Sequence, residues 1–80
     1  SYYTLRREAQ EKAARYYIGL VKANPAFEAF DDQQKKKAIN SAANQGRQAV
    51  IKAEGGKSIR TADPERKVDI MKQFIARLPE

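Results

Sequence analysis

The stretch from Gln33 to Ala53 contains no Asp and no Glu, yet it carries Lys35, Lys36, Lys37, Arg47 and Lys52. Within it Ile39, Ala42, Ala43, Gly46, Ala49, Val50 and Ala53 recur three and four apart, the period of one face of an α-helix. The stripe is apolar but low in volume. Small side chains let another helix approach closely, so this face is expected to lie against a neighbouring backbone. Gly46 costs up to about 1 kcal/mol relative to Ala inside a helix, which suits a point of tight contact. The opposite side carries Lys37, Asn40, Asn44, Arg47, Gln48 and Ile51. Asn is a poor helix former, because its amide competes for backbone hydrogen bonds. Two of them in mid-helix call for a reason.

The rest of the chain supplies partners for that helix. A first helix is predicted from within Tyr2–Leu5, capped by Ser1 or Thr4, to about Ala23. Leu5, Ala9, Ala13, Tyr16 and Leu20 form one row on it. Ala14, Tyr17, Ile18 and Val21 widen the apolar arc, so this helix is expected to touch both others or a second copy of itself. Glu8–Lys12 and Glu11–Arg15 are spaced as favourable pairs on its polar side. Asn24-Pro25 ends it, since the residue before proline is pushed out of the helical region. Pro25 to Phe30 reads as a short helical turn whose Phe27 and Phe30 plug the end of the core.

Asp31 or Asp32 is a good N-cap for the second helix, and with Asp31 as cap Gln34 falls at the position of a capping box. Gly55-Gly56 supplies the expected stop. Residues 57–62 read as a loop. Asp63 then caps a third helix that begins with Pro64, the favoured first residue. Its apolar face is Val68, Met71, Ile75 and Leu78, flanked by Ile70 and Phe74, and Pro79 ends it. The predicted fold is all-α: a compact bundle of three main helices plus a short helical turn, in one domain over residues 1–80.

Composition narrows the chemistry. Eighty residues make one small domain that buries only a little over ~60% of its unfolded surface. Cys and His are both absent, which removes disulfides, thiolate metal sites, the commonest general base and the commonest metal ligand. No apolar run approaches the roughly 20 residues of a membrane span, and Arg6, Arg7 and Glu8 interrupt any export signal. A cytoplasmic protein without cofactor or metal is expected. The formal charge is +6, from 16 Lys and Arg against 10 Asp and Glu, spread evenly along the chain. Any positive surface is therefore made by folding. It favours an anionic partner, nucleic acid or an acidic protein.

Individual motifs are weaker. Gly56-Lys57-Ser58 matches only the end of a phosphate-binding P-loop, and it follows a helix rather than a strand. It reads as a helix stop with a solvated Lys. Lys57, Ser58, Arg60 and Thr61 are nonetheless placed to touch a phosphate backbone near the positive end of the third helix. Asp31-Asp32 and Asp63 with Glu65 sit at helix starts, where acids cap backbone N–H groups. Tyr2-Tyr3 and Tyr16-Tyr17 each place one ring toward the core, and the other is available to stack on a base. The link from Gly55 to Asp63 is longer than the turn of a helix-turn-helix.

The amides and cations of the second helix are the feature that points to a function. Arg, Asn and Gln read base edges, whereas lysines hold phosphates without reading sequence. The expected nucleic-acid-binding residues are Lys36, Lys37, Asn40, Asn44, Arg47 and Gln48, with Lys57 and Arg60 as phosphate contacts. No catalytic residues are expected. The alternative is a protein-interaction module, an adaptor, an inhibitor of a larger enzyme or a self-associating subunit. It rests on the wide apolar arc of the first helix and an outward Ile51.

Overall fold

The computed structural model describes residues 1–55 and 63–79. Among the described residues there are three α-helices, α1 (Tyr2–Ala23), α2 (Asp32–Ala53) and α3 (Pro64–Arg77), with a 3-10 turn at Pro25–Ala29. No strand occurs among the described residues. The fold is an all-α bundle, as the spacing predicts.

The helix ends follow from local chemistry. Ser1 caps α1 by accepting from the Thr4 amide. Asn24 adopts an extended backbone before Pro25, which ends α1, and its side chain accepts from the Ala26 amide to start the 3-10 turn. The capping box on α2 is complete: Asp31 accepts from the Gln34 amide at 2.8 Å, and the Gln34 side chain accepts from the Asp31 amide at 3.0 Å. Gly55 takes the left-handed conformation after α2, with φ of 69°. Asp63 accepts from the Glu65 amide ahead of Pro64.

The helices run up, down, up. Gly46 lies on the backbone of Ala13 and Ala14, and Glu54 reaches Arg6, so α1 and α2 are antiparallel. Lys67 lies over the Tyr2 ring, and Lys12 donates to the carbonyl of Ile75, so α3 runs parallel to α1. α1 packs along both other helices, whereas α2 and α3 barely meet. That is what the wide apolar arc of α1 requires. The bundle is elongated, 47 × 23 × 17 Å.

The core is thin. Ala9, Ala13, Val50 and Met71 are fully buried, and Tyr2, Leu5, Ile70, Phe74, Ile75 and Leu78 pack around them. The crossing of α1 and α2 is closer than any side chain permits. A Cβ at Gly46 would sit 2.5 Å from the Ala14 nitrogen and 2.6 Å from the Ala13 carbonyl carbon. The small-residue stripe therefore does what its volume implies.

Three expectations need correction. Leu20 is 51% exposed rather than in the core. The reason is that α3, which starts at Pro64 and stops short of Pro79 as expected, has 14 residues and ends beside the middle of α1, so the last turns of α1 outrun it. Phe27 is buried, but Phe30 is 38% exposed and packs edge-on against Phe27. Tyr2 is half-buried with Tyr3 exposed, as expected of that pair, whereas Tyr16 and Tyr17 are both half-buried.

Candidate nucleic-acid interface

The turn of α2 that buries Ala42, Gly46 and Val50 against α1 sends its opposite side outward. Lys36, Lys37, Asn40, Asn44, Arg47, Gln48 and Ile51 are all exposed. The six polar side chains among them hold no hydrogen bond or ion pair with a described residue. Lys36 to Gln48 spans roughly 18 Å of helix, at about 1.5 Å per residue. Every acid within α2 or at its ends is accounted for locally. Asp31 caps the first turn, Asp32 stands at its start, and Glu54 is turned inward. The expected phosphate contacts Lys57 and Arg60, and the P-loop-like Gly56-Lys57-Ser58, lie outside the described residues.

Glu54 carries no local sign of burial in the sequence, yet it is the buried charged residue among the described residues, at 7% exposure. The Arg6 Nε donates to both its carboxylate oxygens, at 2.9 and 3.0 Å, and the Tyr2 hydroxyl donates to it as well. This clamp ties the start of α1 to the end of α2. The hydrogen bond to Glu54 raises the pKa of the Arg6 guanidinium further. Burial, and then the hydrogen bond and charge of Glu54, push the Tyr2 phenol above its ordinary 10.0. The effect on the surface is that the acid ending α2 is neutralised inside the fold and does not oppose an anion outside.

Two grooves flank the outward face of α2. One, of about 360 Å³, is lined by Tyr17, Asn44, Gln45, Gln48, Ala49 and Lys52. It places an α1 aromatic beside two of the expected amides. The other, of about 450 Å³, is lined by Arg7, Gln10, Glu11, Ala14, Arg15 and Arg47. The six expected site residues on α2 thus come together on one face. Tyr17, Lys52, Arg7 and Arg15 join its margins through a helix crossing that linear spacing does not reveal. Among the described residues no group of three or more Asp or Glu is placed to hold a metal ion, and no helix is long and apolar enough to cross a membrane.

No family model, curated protein or solved structure matches this chain. The chemistry of the surface therefore carries the functional reading.

Proposed function

We propose that this is a small, non-enzymatic, basic helical protein that binds nucleic acid through the outward face of α2. The observation that carries the reading is the exposure of Lys36, Lys37, Asn40, Asn44, Arg47 and Gln48 on one face of the acid-free stretch 33–53, with none engaged elsewhere among the described residues. Asn, Gln and Arg match base-edge donors and acceptors, and Ile51 offers an apolar contact between them. Lys36 and Lys37 face phosphates and set affinity. Lys57 and Arg60 extend that role beyond the helix.

The experiment is a gel-shift titration at low salt against duplex DNA and single-stranded and structured RNA. Wild type binds at least one of them, and the double variant Lys37→Glu, Arg47→Glu does not. Failure of wild type to bind any of them ends the proposal.

A second reading has its own support. Leu20, 51% exposed, lines an open groove of about 410 Å³ with Tyr16, Gly19 and Pro79. Under it the protein docks an acidic protein or a second copy through α1. Sedimentation equilibrium separates the two: a monomer at all concentrations counts against self-association.

A further inference from the structure

We propose that the groove between α1 and α2, lined by Arg7, Gln10, Arg15 and Arg47, is a phosphate cleft that takes the nucleic-acid backbone at the margin of the α2 face. This rests on the nucleic-acid reading and extends it to α1. The cleft follows from the helix crossing. Gly46 sits on the backbone of Ala13 and Ala14, and the next residue on each helix is an arginine, Arg47 and Arg15. The close approach at Gly46 therefore sets two guanidinium side chains on one groove. Arg7, eight residues before Arg15, adds a third about 12 Å along α1. All three line the groove, and none forms an ion pair with a described residue. Guanidinium forks match phosphate oxygens in pairs, and Gln10 adds an amide donor beside them.

Glu11 stands among the three arginines, four residues from both Arg7 and Arg15. It does not close on any of them to ion-pair distance. Three cations against one carboxylate leave the cleft positive, and Glu11 lowers its affinity for an anion without cancelling it.

The test uses a labelled oligonucleotide that wild type binds, titrated from 50 mM to 300 mM salt. The double variant Arg7→Gln, Arg15→Gln is expected to flatten the slope of log K against log salt by about one for each phosphate left without its arginine. Glu11→Gln is expected to bind about threefold tighter than wild type at low salt, the size of an exposed charge interaction. Thermal melts of both variants are expected to match wild type, since none of these side chains is buried. If wild type binds and both variants reproduce its affinity and slope, the cleft is refuted while the α2 face stands. Weaker binding by Glu11→Gln would also overturn it, because the carboxylate would then be organising the arginines for another purpose. If wild type does not bind, the underlying reading fails first.

Discussion

Gly46 and Gly19 show how one substitution takes opposite signs in the same fold. Both are helical, and alanine is the better helix former by up to about 1 kcal/mol. At Gly19 a new Cβ meets nothing within 4 Å, so Gly19→Ala is expected to stabilise by roughly that amount. At Gly46 the Cβ would meet backbone atoms of Ala13 and Ala14 at 2.5–2.7 Å, and backbone cannot swing aside. The helices must part, and Gly46→Ala is expected to destabilise by about 2 kcal/mol despite its propensity. Urea melts of the two variants decide. The value of Gly46 was legible in its place on a small-residue stripe. Glu54 was not, because its partners Tyr2 and Arg6 lie 52 and 48 residues away and no local pattern pairs them. Its clamp predicts a pH dependence. The folded chain holds the Tyr2 proton to higher pH than the unfolded chain does. The stabilisation is therefore complete below about pH 10 and is lost as pH rises through the raised value. Tyr2→Phe should flatten the decline in stability on the alkaline side, read from urea melts between pH 8 and 11.

Element boundaries were the most legible layer, because caps are chemical and local. Ser1, Asn24, Asp31, Gly55 and Asp63 each satisfy or redirect backbone groups that a helix end leaves open. Asp31→Ala removes the carboxylate that accepts from the Gln34 amide, the side-chain half of the box on α2. It is expected to cost about 1 kcal/mol, which lowers the melting temperature by roughly 4–8 °C for a domain this size. What spacing did not show was how far along α1 the shorter third helix would lie. α3 is eight residues shorter than α1, since they have 14 and 22, so Leu20 is left 51% exposed. A hydrophobic row on one helix states a preference for burial, and the neighbouring helix decides how far along it burial extends.

At the scale of the molecule, α1 is the shared wall and the bundle is long. The radius of gyration is 14.6 Å, against about 12 Å for a spherical chain of this length. Elongation leaves a large surface for the volume and few fully buried side chains, so polar faces dominate what a partner meets. The net charge spread along the sequence becomes organised only in three dimensions. The clamp withdraws Glu54 from the surface, and the crossing at Gly46 draws Arg7, Arg15 and Arg47 to one groove. The outward set of α2 could be read from period alone. The arginines of α1 could not, because nothing in their spacing tells which flank the second helix will lie on.

The central claim is that the outward face of α2 is a platform for a polyanion. It is tested most directly by the salt dependence of wild-type binding to a nucleic acid of defined sequence. Lys36, Lys37 and Arg47 on phosphates predict a slope of log K against log salt of about −2.5 or steeper, at about 0.9 per phosphate on duplex DNA. The variant Lys37→Glu, Arg47→Glu is predicted to show no binding under the same conditions. A wild type with no measurable affinity at 50 mM salt, or one whose binding survives that double charge reversal, contradicts the account.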